Sequence, residues 1–135
     1  MLLIDEHIRA DGALVRTHLD RDGDHVVITS DDGVHGRLSL GALDRVLQRY
    51  GKPLEAGVEL VGDALDFGDG HVLRHLRWKA PVDAAPRDWL VWAAPGVEPV
   101  AALANGVAAA LRYLVLRLSE EHAAASGTGG GDPAT

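Results

Sequence analysis

Residues 2–30, LLIDEHIRADGALVRTHLDRDGDHVVITS, decide how this chain folds. Asp11-Gly12 and Asp22-Gly23 each separate runs in which apolar and polar residues alternate. Asp-Gly suits a two-residue type I′ turn, because both central positions take positive φ. Two such hairpins in series predict a three-stranded antiparallel meander. With two-residue turns, Ile8 faces Val15, Ile4 faces Leu19, and Leu19 faces Val26. Leu2, Ile4, Ile8, Val15, Leu19, Val26 and Ile28 then share one apolar face, an agreement that a slip of one residue would destroy. The opposite face is polar and carries Asp5, His7, Arg9, Arg16, His18, Asp20, His25 and Thr29. The same register sets Asp5 across from His18, His7 across from Arg16 and Asp20 across from His25.

Beyond the meander, Asp32-Gly33 predicts a further turn and residues 34–38 a fourth strand. A two-residue turn there would bring Arg37 opposite Ile28 on the apolar face, so a bulge or a longer turn is expected. Residues 40–50 predict a helix. Ser39 is its N-cap, Leu43, Val46, Leu47 and Tyr50 follow the i, i+3, i+4, i+7 spacing, and Gly51 and Pro53 end it. Residues 58–66 and 71–78 predict two strands around Gly68-Asp69-Gly70, and residues 79–87 a loop. A short apolar strand over 88–93 carries Trp89 and Trp92. A helix is expected from Glu98-Pro99 to about residue 122, roughly 36 Å at 1.5 Å per residue. Residues 123–135 are mostly Ala, Gly, Ser and Thr and predict an unstructured tail. The expectation is one α+β domain over 1–122: an antiparallel sheet of hairpins in the order strands, short helix, strands, long helix, with the helices packed on one sheet face.

The bulk properties exclude several functions. A chain of 135 residues, 47% of them hydrophobic, supports one core without staples. With no cysteine there is no disulfide, no thiolate metal site and no cysteine nucleophile. A formal net charge of −7 disfavours binding to nucleic acid. Asp5 and Glu6 interrupt the first apolar stretch, which does not read as a signal peptide. Arg112 interrupts the most apolar segment, 100–118, which reads as a buried helix and not a membrane span. These features predict a cytoplasmic protein without a cofactor. No nucleophile elbow, phosphate loop or dinucleotide fingerprint is present, so the expectation leans away from an enzyme.

Four features could carry function. His7, His18, His25, Asp5 and Asp20 lie on adjacent predicted strands and are of the types that bind zinc. Without a ligand spacing of a known site, a solvated sheet face is the plainer account of them. Asp20-Arg21-Asp22-Gly23-Asp24 has alternate aspartates, but a calcium loop needs Gly and Glu where His25 and Asp31 stand. Trp78, Trp89 and Trp92 could cluster, either as core or as a ligand or contact surface. On the long helix, Val100, Ala104, Val107, Ala108, Leu111 and Val115 belong to an apolar stripe wider than one sheet face needs. One flank is therefore expected to pack on a second copy of the chain. The leading expectation is a non-catalytic binding or assembly module acting as a homodimer. The alternatives are a small-molecule or metal-binding protein using the His/Asp face, and an accessory subunit of a larger complex with another protein as partner.

Overall fold

Glycines set the hairpins of this fold. The computed structural model of the chain describes residues 1–55, 57–78 and 87–129, with side chains in the last helix described as far as Leu118. Strands β1 (Leu2–Ile8) and β2 (Leu14–Asp22) join through a three-residue loop. Arg9 N–H donates to Ala13 C=O, Gly12 N–H donates to Arg9 C=O, and Gly12 takes φ 85°. This is a turn closed by a left-handed glycine in place of the expected two-residue turn. It moves the pairing by one residue, so Ile8 faces Leu14 and Glu6 faces Arg16.

A bulge then moves the pairing again. Leu3 pairs with His18 and Asp5 with Thr17, which leaves Ile4 as the extra residue. The bulge keeps Leu2 and Ile4 on the core side, both buried. Beyond it the faces are exchanged relative to expectation. Ile8 lies outside, 72% exposed, while Asp5 and His7 share the side of Thr17 and Val15.

Between β2 and β3 (His25–Ser30) the turn is Gly23-Asp24, with Gly23 at φ 61°, as a type II′ turn requires of its first central residue. The register moves by two residues from expectation, which preserves the faces. Val15, Leu19, Val26 and Ile28 are buried as predicted. The β3–β4 connection repeats the three-residue loop, with Gly33 at φ 94°. This longer turn sets Arg37 of β4 (His35–Ser39) opposite Val27 on the outer face and Gly36 opposite Ile28.

Helix α1 (Leu40–Tyr50) has the predicted bounds, and the Ser39 side chain accepts from Ala42 N–H at 3.1 Å. Gly51 ends it in an extended conformation and not the left-handed one. Glycine serves close approach there: a Cβ would lie 2.8 Å from the Val100 side chain and closer still to the Leu47 carbonyl.

The second half forms its own sheet. Strands β5 (Lys52–Pro53), β6 (Ala64–Gly68), β7 (His71–Trp78), β8 (Arg87–Ala93) and β9 (Val100–Leu103) pair antiparallel in the order β5-β9-β8-β7-β6, beside the first sheet, β1-β2-β3-β4. Among the described residues, the one two-residue turn with both central φ positive is Asp69-Gly70, at 52° and 82°. Strand β6 is shorter than expected, since residues 58–63 lie outside it. Most of the predicted loop, residues 79–86, lies outside the described residues.

The largest correction falls on the long helix. Residues 100–103 are a strand, pairing Trp92 with Val100 and Lys52 with Ala101, and helix α2 is Ala104–Gly129. A run of small apolar residues fits strand and helix alike, so its period could not separate them. Of the expected tail, residues 130–135 lie outside the described residues.

The α+β fold thus has two antiparallel sheets where one was expected. They approach along β1–β2 and β6–β7, and α1 and α2 pack against their inner sides elsewhere. One cluster of buried residues joins Leu19 and Ile28 of the first sheet, Leu73, Leu90 and Trp92 of the second, Leu43 and Leu47 of α1, and Val107 and Leu111 of α2. Among the described residues, no helix is long and apolar enough to cross a membrane.

Candidate functional site

The three-residue loop at Gly12 divides the expected metal ligands, because its one-residue shift turns Asp5 and His7 to the face of Thr17 and Val15. His18, Asp20 and His25 stay on the outer face of the first sheet, where Asp20 faces Val27 and His25 faces Asp22. Asp5 and His7 lie on the other face and bond to each other, Oδ2 to Nδ1, at 3.0 Å. His25 Nδ1 instead lies 2.8 Å from Asp24 Oδ1, and Asp20 is near the N-terminal amine at 3.7 Å. The five do not converge. Among the described residues no group of three or more His, Asp or Glu is placed to hold a metal ion.

The tryptophans also divide. Trp92 is fully buried between the sheets, with Phe67 edge-on at 6.2 Å. Its Nε1 donates to Asp44 of α1 at 2.7 Å, tying helix to sheet. Trp78 and Trp89 pair at 5.2 Å on the opposite face of the second sheet, over Leu76, Val91 and Ala101. The alternating faces of β8 separate Trp89 from Trp92.

All six residues expected at an interface on the long helix are buried inside this chain. Val100 belongs to β9, and Ala104, Val107, Ala108, Leu111 and Val115 face the common core. The correction follows from the second sheet, which provides the additional apolar cover. Among the described side chains of α2, large apolar surface remains on its other flank, where Tyr113, Leu116 and Leu118 are 48–59% exposed.

That flank borders a groove between the helices with a volume near 990 Å³. Ala42 and Val46 of α1 and Ala110 and Leu114 of α2 line it, Tyr50 and Tyr113 stand at its edges, and Gly106 and Leu118 mark its extent along α2. Arg37, Arg45 and Arg49 also line it, three cations on one apolar groove in an acidic chain. Arg37 pairs with Asp22 at 3.3 Å, and Arg49 lies over the Tyr50 ring at 5.8 Å. Arg45 and Arg49 have no carboxylate within ion-pair distance among the described residues. The sequence reading did not identify this groove. Its signal was present in the outer-face Arg45 and Arg49 beside Tyr50, but only the α1–α2 contact gives them a shared surface.

A second cleft, near 650 Å³, lies between β1 and the start of α2. Asp5, Glu6, His75, Arg77, Asp88 and Asn105 line it, with His75 Nε2 3.6 Å from Asp88 Oδ1. Its charges are of both signs, and among the described residues it has no nucleophile beside a base.

One buried polar cluster was not foreseen. Thr17 and Ser30 face each other across β2 and β3, with hydroxyls 3.3 Å apart in the core. Arg112 of α2 donates to Ser30 Oγ and grips both oxygens of Asp32 in the β3–β4 loop. The guanidinium holds the Asp32 carboxyl well below the usual carboxylate range, chiefly through that hydrogen bonding. Asp32 raises Arg112 in turn, and Asp5 adds to the effect. Every member has a partner, so the cluster is a fastening between helix and sheet with no unsatisfied group facing a ligand.

No protein-family model matches the chain, and neither curated proteins nor solved structures give a match.

Proposed function

We propose that this chain is a non-catalytic binding and assembly module that acts as a homodimer through the α1–α2 groove. One observation supports the reading above others: Tyr50, Tyr113 and Leu118 are large apolar side chains left about half exposed around an apolar groove. Contiguous apolar surface of this kind marks contact sites more often than it occurs by chance. The acidic charge argues against nucleic acid as the partner, and the cysteine-free sequence fits a cytoplasmic setting.

Sedimentation over a wide concentration range tests the proposal. The wild-type chain should show a monomer–dimer equilibrium. Tyr113→Asp and Leu118→Asp should move it toward monomer while leaving the circular dichroism spectrum unchanged. A chain that stays monomeric at the highest concentration would remove the homodimer.

A further inference from the structure

We infer that the cleft between β1 and the start of α2 binds a short apolar peptide by its two charged ends, the carboxylate at Arg77 and the ammonium at Asp5. The cleft shares no lining residue with the α1–α2 groove, so this site stands apart from the homodimer. Its volume, near 650 Å³, lies within the range of small-molecule sites.

The charges come first. Arg77 of β7 lines the cleft and has no hydrogen bond or ion pair among the described residues. His75 and Asp88 beside it are already paired with each other at 3.6 Å. Asp5 of β1 lines the same cleft with its side chain only 16% exposed. Its Oδ2 is bonded to His7, while Oδ1 has no hydrogen-bond partner among the described residues. Arg77 and Asp5 thus share one cleft without meeting. An anion alone would also face Asp5, Glu6 and Asp88, and a cation alone would also face Arg77 and Arg87. A molecule carrying both charges gives each of the two open groups the opposite sign.

Shape and polarity come second. Leu3 and Ile4 of β1 and Leu103 and Ala104 at the start of α2 complete the lining and suit apolar side chains. Small-molecule sites bury most of their ligand, and a cleft of this volume holds about two or three residues. A longer strand added along β1 is disfavoured. That edge carries the bulge at Ile4 and the charges of Asp5 and Glu6, both of them devices that blunt a sheet edge.

Isothermal titration of the full chain with leucyl-leucine and with trileucine tests the site, each peptide being used free, N-acetylated and C-amidated. Wild type should bind at least one free peptide and lose about tenfold in affinity when either end is blocked, the scale of one charge-assisted contact. Arg77→Gln should bind the free and amidated forms equally while still rejecting the acetylated one. Asp5→Asn should do the reverse. Both variants should keep the wild-type circular dichroism spectrum. Arg77 is exposed and unpartnered among the described residues, so its variant decides the matter even if Asp5→Asn disturbs the fold. A wild type that takes up neither free peptide at millimolar concentration would overturn the inference and leave the homodimer untouched. So would binding indifferent to the blocked ends, or rejection of the amide that survives Arg77→Gln.

Discussion

The guanidinium of Arg112, midway along an otherwise apolar stretch of α2, clasps the carboxylate of Asp32 through both terminal nitrogens. Both side chains are less than one-fifth exposed. Paired forks of this kind are among the stronger charge-assisted contacts. Asp32→Asn should cost about 2 kcal/mol at neutral pH, the scale of a hydrogen bond to a charged group. The pH dependence has a definite sign. Asp32 has a lowered pKa in the folded chain, so its contribution is fully present above the ordinary carboxyl value. From about pH 4 downward the unfolded chain takes up the proton first, and stability falls until the folded carboxyl also titrates. Urea denaturation at a series of pH values checks this, and Asp32→Asn should flatten the acid limb.

Gly36 and Val115 test how closely α2 lies on the first sheet. A Cβ on Gly36 would stand 2.6 Å from Val115 Cγ1, well inside van der Waals contact. The valine sits in a helix, where one χ1 rotamer dominates, so it cannot easily turn aside. Gly36→Ala should destabilise by about 1–3 kcal/mol, the usual range for overpacking. Val115→Ala in the same chain should recover part of that loss, because the added methyl then has room. Thermal denaturation of the two single variants and the double variant reads the coupling.

The parts legible in the sequence were those fixed by local chemistry. Helix α1 was legible because its N-cap, apolar stripe and terminal glycine all lie within residues 39–51. The buried faces of β2 and β3 were legible because a two-residue error in register preserves alternation. Strand β1 was not, because the three-residue loop and the bulge at Ile4 each move the pairing by one. The loop places Asp5 on one face and His18 on the other, which divides the expected metal site, and the bulge returns Leu2 and Ile4 to the core. The role of residues 100–115 was hidden for a different reason. Whether a valine or alanine stripe faces a sheet or a partner depends on how many sheets the chain builds. The clamp between Asp32 and Arg112 joins residues far apart in sequence, and no local pattern announces such a pair.

The divided His/Asp set makes a prediction of its own. A ligand that binds only the folded state raises its stability in proportion to the logarithm of ligand concentration over the dissociation constant. Asp5 and His7 occupy one face of the first sheet and His18, Asp20 and His25 the other. Titration with zinc should leave the melting temperature unchanged, and His18→Ala should behave as wild type in the same titration. A zinc-dependent rise in wild type that His18→Ala abolishes would show that the strands converge on an ion after all.

Trp92 carries the last prediction. Its ring is fully buried and its Nε1–H donates to Asp44 Oδ1 at 2.7 Å, the polar tie from β8 to α1. The same Asp44 Oδ1 also accepts from Gln48 Nε2 one turn on, at 3.5 Å. Asp44→Ala would leave the indole N–H buried without an acceptor, at a cost of about 1–3 kcal/mol. Asp44→Asn keeps an oxygen in place and should lose less. Trp92→Phe removes the donor together with part of the ring packed against Phe67, which has its own cavity cost, and it should make a following Asp44→Ala nearly neutral. A double-mutant cycle in chemical denaturation isolates the bond. Coupling near zero would mean that α1 is held on the second sheet by the burial of Leu43 and Leu47 alone.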